Sequence, residues 1–118
     1  MPRDRYGVRT SRSPLWKRSP VVTVGLLVTV QAQPGKEQEL SDFLTSALPL
    51  AQAEPDTTAW FAFKIDASTF GIFDAFPSDD GRQTHLNGPI AAALMSKADE
   101  LLAGPPEIKP VDILAAKL

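Results

Sequence analysis

Two aromatic-rich apolar runs, Thr58 to Ile65 and Thr69 to Phe76, are separated only by Asp66-Ala67-Ser68. A polar break this short between two strand-length apolar runs joins antiparallel strands, so the spacing predicts a β-hairpin. The surrounding stretch, Thr57 to Pro89, holds six of the nine aromatic residues and the only histidine, His85. Pro77-Ser78-Asp79-Asp80 stops the second strand and offers caps for a short helix bearing Arg82 and His85, with Asp80 the expected N-cap. The hairpin thus leads straight into the helix that carries the one imidazole. Chemistry is to be sought where they meet.

The sequence before the hairpin supplies one strand and one helix. From Val22 to Val30 every even position is Val or Leu, while the odd positions are Thr23, Gly25, Leu27 and Thr29. Period-two alternation of this kind makes a strand with one fully apolar face. Pro34-Gly35-Lys36 then turns into a helix with Leu40, Phe43, Leu44, Ala47 and Leu48 on one stripe. Pro49 cannot donate its backbone hydrogen bond, so the helix is expected to kink or restart there and end near Ala53.

After the hairpin and the short helix, Gly88-Pro89 opens another helix from Ile90 to about Leu102, striped by Ile90, Leu94, Ala98 and Leu101. Gly104-Pro105-Pro106 ends it, and Val111 to Lys117 is expected to be the last strand. The order β-α-β-β-α-β, with the second helical region split, is the ferredoxin-like α+β arrangement: a four-stranded antiparallel sheet with the helices on one face.

That arrangement leaves a sheet face bare, yet both faces of the hairpin are apolar. Phe61, Phe63, Phe70 and Ile72 are expected on one, and Trp60, Ala62, Gly71 and Phe73 on the other. A homodimer stacking sheet on sheet would cover the open face with an interface of roughly 2,000 Å². The pairing of the hairpin stays open at this level. A two-residue turn sets Phe61 and Phe63 beside Asp74, and a three-residue turn sets Trp60 there.

Charge and composition narrow the function. Residues 1–20 carry six basic side chains and one acid, and residues 21–118 carry six basic and thirteen acidic ones. The first segment is expected to be a disordered basic extension and residues 21–118 the domain. Basic, apolar and small-residue stretches from the start to Ala32 mimic a signal peptide, but cleavage there would delete the best strand, so a cytoplasmic protein is expected. The acidic body argues against nucleic-acid binding, which needs clustered Lys and Arg, and no membrane partner is expected. With no cysteine, thiolate metal sites and a cysteine nucleophile are excluded. One histidine leaves a metal or haem site short of ligands, so no cofactor is expected.

The PGKEQEL helix opening, the TTAWFAFK and STFGIFDAF strands and the HLNGPIAAALM run resemble the antibiotic biosynthesis monooxygenase family of the dimeric α+β barrel superfamily. The resemblance covers residues 22–118. It implies a homodimer and, as activity, cofactor-independent oxidation of quinols, phenols or polyketide-like aromatics by O₂, although the family also holds haem degraders and members without known reaction. Its usual pattern, an acid two residues before an aromatic at the end of the third strand and then a helix bearing a histidine, falls on Asp74, Phe76 and His85. Phe76 stands where some members, haem degraders among them, have tryptophan. That departure and the single histidine weaken a haem-degrading role. A non-catalytic dimeric module that binds or senses a small hydrophobic compound is the alternative.

Each candidate has two readings. His85 is a proton acceptor for a phenolic substrate, or a histidine satisfied by a backbone carbonyl at a helix-loop junction. Asp74 shares its strand face with apolar neighbours, so it needs a partner such as Arg82 or His85, as an acid-base dyad or a structural ion pair. Trp60 stacks on a flat substrate or fills the dimer core. Phe63, Phe76 and Met95 are core residues that can also wall a pocket. The pocket is expected between the sheet and the helices, opening near Asp74 and His85, with Arg82 as its one other ionisable lining group and a substrate contact.

Overall fold

The computed structural model describes residues 22–118, and the basic segment 1–20 lies outside them. The chain runs β1 (Val24–Gln31), α1 (Glu37–Ser46), α2 (Leu48–Gln52), β2 (Ala59–Lys64), β3 (Thr69–Phe76), α3 (Asp79–Leu86), α4 (Pro89–Leu101) and β4 (Glu107–Asp112). The strands form one sheet in the order β2-β3-β1-β4, antiparallel throughout. This is the ferredoxin-like α+β fold.

The even residues of β1 face the helices. Val28 and Val30 pair with Ile72 and Phe70 of β3, and all four join Leu40 and Leu44 of α1 and Leu94 and Leu101 of α4 in one buried cluster. Those side chains fill the space expected to hold a pocket, so openings lie instead at the margins of the helical layer. Pro49 acts as anticipated: α1 stops at Ser46 and α2 restarts with the proline in its first turn, where a missing N–H costs nothing.

The hairpin closes through a three-residue turn. Asp66 Oδ1 accepts hydrogen bonds from the backbone N–H of Ser68 (3.0 Å) and Thr69 (2.8 Å), the side-chain-to-backbone pattern that lets Asp build a tight turn. In the resulting register Trp60 stands opposite Asp74, Ala62 opposite Ile72, Phe61 opposite Phe73 and Phe63 opposite Gly71. The expected grouping of faces is therefore corrected. Trp60 and Ala62 share the helical face with Phe70 and Ile72, whereas Phe61 and Phe63 share the open face with Gly71 and Phe73.

Two further expectations are corrected. The last strand is Glu107–Asp112, not Val111 to Lys117. Gly104-Pro105-Pro106 leads directly into extended backbone, and Lys109, before Pro110, is biased the same way. Pro110 is tolerated because β4 is an edge strand paired only with β1, while Leu114 beyond it is 93% exposed and buries nothing. The N-cap position of the short helix is Ser78, in extended backbone and without a side-chain capping bond, rather than Asp80. Asp79 in its first turn takes the favourable end of the helix dipole.

Candidate functional site

β3 carries Asp74 on its helix-facing side, so the carboxylate points beneath the helical layer and is fully buried. Across from it, α3 presents His85 in its last turn, also buried. A third group completes the arrangement: Glu54, from the loop after α2, which sequence reasoning passed over as a loop acid. His85 Nδ1–H donates to Glu54 Oε1 at 2.7 Å, and Nε2 lies 2.9 Å from Asp74 Oδ2. The imidazole is held between two carboxylates from different elements.

Glu54 is itself positioned by its own loop. The Thr57 hydroxyl donates to Glu54 Oε1 at 2.6 Å, so that oxygen accepts two bonds while buried Oε2 has none. Neither Asp74 oxygen accepts a well-directed hydrogen bond; the approach of Nε2 is a close ion pair. Burial by itself disfavours the charged imidazole, but the contacts to Asp74 and Glu54 overcome it and raise the His85 pKa above its ordinary 6.5. An opposite charge at hydrogen-bonding distance stabilises the protonated ring more than desolvation destabilises it.

A cleft of about 110 Å³ opens beside this trio, lined by Glu54, Asp56, Thr57, Gly81, Thr84 and His85 among others. Gly81 lets α3 approach the loop closely, since a Cβ there would stand 3.0 Å from Asp56 Cβ and 3.1 Å from the Asp56 carbonyl. Glu54 and His85 both border the cleft, whereas Asp74 lies on the far side of the ring.

The other predicted site residues divide. Phe76 is fully buried with its ring centroid 5.4 Å from that of His85, so it supports the imidazole from within the core. Trp60, opposite Asp74, packs against Ala47, Ala51 and Ile90. Its indole N–H is buried without a partner. Arg82, one turn before His85, points elsewhere: it pairs with Asp79 at 2.8 Å and donates to the carbonyls of Gly25 (3.2 Å) and Val111 (3.3 Å). It fastens α3 to β1 and β4. Phe63 is on the open face over Gly71, away from His85. Met95 is 59% exposed and borders a separate groove of about 420 Å³ with Gln33 and Leu102. The fold thus brings together His85, Asp74, Phe76 and Trp60 and leaves Phe63, Arg82 and Met95 outside.

Among the described residues no group of three or more His, Asp or Glu side chains is arranged to hold a metal ion, because the carboxylates meet opposite nitrogens of one ring. No helix among them is long and apolar enough to cross a membrane. Glu54 had no distinguishing signal in the sequence. It is one of fourteen acidic residues, in a loop whose path only the packed fold fixes.

No family model matches the chain, and no curated protein matches it. Solved structures do. A protein of unknown function from Nitrosomonas europaea is 59% identical over 83% of this chain and 95% of its own, with a TM-score of 0.82. A Caulobacter crescentus protein, which its name provisionally places among the antibiotic biosynthesis monooxygenases, is 18% identical over 80% of this chain and 92% of its own, with a TM-score of 0.69. A Mycobacterium tuberculosis protein is 17% identical over 80% and 97%, with a TM-score of 0.71. The last two likenesses are of fold.

Proposed function

Since the chain belongs to one family with the Nitrosomonas europaea protein and has the fold of the antibiotic biosynthesis monooxygenases, we propose that it is a cofactor-independent monooxygenase. Its substrate is a small electron-rich phenol or quinol. The observation that carries this reading is the buried imidazole clamped between Glu54 and Asp74 at the wall of a cleft.

The chemistry asks the protein for a proton acceptor and a site shielded from water. With both ring nitrogens engaged, His85 holds the two carboxylates in place, and Glu54, which lines the cleft and keeps one oxygen, Oε2, without a partner, is the acceptor. A phenolic O–H passes its proton to Glu54, and the phenolate that forms transfers electrons to O₂ far more readily than the neutral phenol. One oxygen atom forms a bond to the ring carbon opposite the hydroxyl, replacing its hydrogen. The other leaves as water, carrying the displaced ring hydrogen as a proton and the proton returned from Glu54. A phenol and O₂ thereby give a quinone and water, the phenol supplying every electron that O₂ gains, with no cofactor.

Oxygen uptake by the purified protein with a panel of phenols and hydroquinones tests the reading. Turnover that falls at least a hundredfold in both Glu54→Gln and His85→Ala supports it. Turnover retained in both variants, or absent across the panel, removes it.

A second reading, a non-catalytic module for a small aromatic compound, is favoured by the engagement of both imidazole nitrogens and the small size of the cleft. It predicts ligand-induced thermal shifts without O₂ consumption.

The working form proposed is a cytoplasmic homodimer of residues 21–118. Phe61 and Ile65 on the open sheet face are 56% and 57% exposed, and Phe63, Phe73 and Leu27 share that face. Such a patch on an otherwise acidic protein is the surface that a sheet-to-sheet partner covers.

A further inference from the structure

The helix-facing side of β2 carries Trp60, Ala62 and Lys64 in turn. The outer two side chains are long and the middle one is a single methyl group. Ala62 is exposed although it faces the helical layer, because nothing of α1 reaches down to it. A hollow of about 120 Å³ results, walled by Ser41 and Leu44 of α1, Ala62, Phe63 and Lys64 of β2, and Phe70 of β3. It shares no residue with the cleft beside His85.

One wall of the hollow is charged. Lys64 Nζ stands 5.7 Å from the centroid of the Phe70 ring, within range of a cation–π contact that keeps the ammonium beside the hollow. Residues 21–118 carry six basic side chains. Among the described residues Lys36, Arg82, Lys97 and Lys109 each pair with an acid, and Lys64 does not. The Thr45 hydroxyl donates to the Ser41 carbonyl at 2.9 Å, whereas the Ser41 hydroxyl has no such partner among the described residues. The hollow therefore offers a cation and a neutral donor beside apolar walls.

That combination matches a flat molecule that is anionic at one end. We propose that the hollow over Ala62 binds a small aromatic monocarboxylate, whose carboxylate accepts from Lys64 Nζ and Ser41 Oγ while its ring rests on Ala62 between Leu44 and Phe70. Size agrees with one ring, since an apolar cavity of about 150 Å³ takes up benzene and here the carboxylate stays at the open rim. The ammonium supplies attraction for an anion, and the apolar walls select an aromatic one. This site does not rest on the oxygenase reading.

Benzoate and benzamide, close in shape and different in charge, are titrated into the full chain at low salt, with the NMR resonance of the Ala62 methyl group as reporter. Benzoate is expected to shift it saturably and to bind about fivefold tighter than benzamide, the preference that one partly exposed ion pair supplies. Added salt should erode that preference. Lys64→Gln is expected to bring the two affinities within about twofold. Ala62→Leu, which fills the hollow and keeps the ammonium, should abolish binding of both.

An Ala62 resonance that does not move, equal affinities in the unaltered chain, or a preference for benzoate that survives Lys64→Gln overturns the site. Acetate binding as tightly as benzoate overturns it as well, because the lysine would then attract any anion and the hollow would contribute nothing. Saturable shifts confined to Thr57 and Thr84 would place benzoate in the cleft beside His85 and are equally fatal. Benzoate binding retained in a folded Ala62→Leu variant has the same consequence. The comparison of benzoate with benzamide uses the unaltered chain, so it decides the matter even if Ala62→Leu fails to fold.

Discussion

Glu54 and His85, 31 residues apart in the chain, meet at 2.7 Å between Oε1 and Nδ1. That bond ties the loop after α2 to the last turn of α3, and the 2.9 Å approach of Nε2 to Asp74 ties both to the centre of the sheet. A contact that joins three elements through one buried ring affects stability as well as chemistry.

Removing the ring leaves the buried carboxylate of Asp74 and the partly buried one of Glu54 without their shared partner. Breaking a buried ion pair from one side costs more than the pair contributes, because the remaining charge is uncompensated. His85→Ala is expected to lower unfolding free energy by about 3 kcal/mol, read from urea denaturation at pH 6. A loss below about 1 kcal/mol would show that the trio is solvated in solution.

Stability should depend on pH with a definite sign. The folded pKa of His85 is raised above 6.5, so the folded state holds its proton more tightly than the unfolded chain. The resulting stabilisation is fully present below about pH 6.5 and is lost as pH rises through the folded pKa. The urea midpoint is therefore expected to fall as pH increases above neutrality, and the fall should vanish in His85→Gln. As the only histidine, His85 allows a direct check by its ring-proton titration, which should lie above that of a model peptide.

Gly25 of β1 sits where any larger residue collides with the strand that bears Asp74. A Cβ there would stand 2.7 Å from the Asp74 carbonyl oxygen and 3.3 Å from side-chain atoms of Phe73 and Val111. A backbone oxygen locked in a central strand cannot move aside cheaply. Gly25→Ala is expected to destabilise by about 2 kcal/mol and to weaken ligand binding by shifting β3. An unchanged melting temperature contradicts this.

The open sheet face gives the prediction about assembly. Light scattering is expected to report a dimer at micromolar concentration. Phe61→Glu, which places a charge on the exposed β2 side of that face without touching the helical core, should convert it to a monomer that keeps its circular dichroism spectrum. A wild-type monomer would show that the face is covered by something other than a second copy.

Much of this arrangement could be read from local pattern. The alternation in Val22 to Val30 announced the helix-facing side of β1, and the run from Thr69 to Phe76 matches β3 residue for residue. The position of Asp74 among Phe70, Ile72 and Phe76 announced a buried carboxylate in need of a partner. Pro49 and Gly88-Pro89 marked where helices restart. The final strand was misread because Ile113 to Ala116 is more apolar than Glu107 to Asp112, and an edge strand half open to solvent needs little hydrophobic signal.

The sequence by itself determined the elements, their order and the inward parity of Asp74, because periods of two and 3.6 residues are properties of a single stretch of backbone. Only the tertiary structure decided that Trp60 rather than Phe61 or Phe63 stands opposite Asp74, since parity within a strand says nothing of register between strands. The side chain of Asp66 settled that by closing a three-residue turn. Only the tertiary structure, too, brought Glu54 to His85. Nothing local distinguishes that carboxylate from the other acids of the chain; the packing of α2 and α3 on one sheet face carries its loop to the imidazole, where burial makes a hydrogen-bonded partner for the charge necessary.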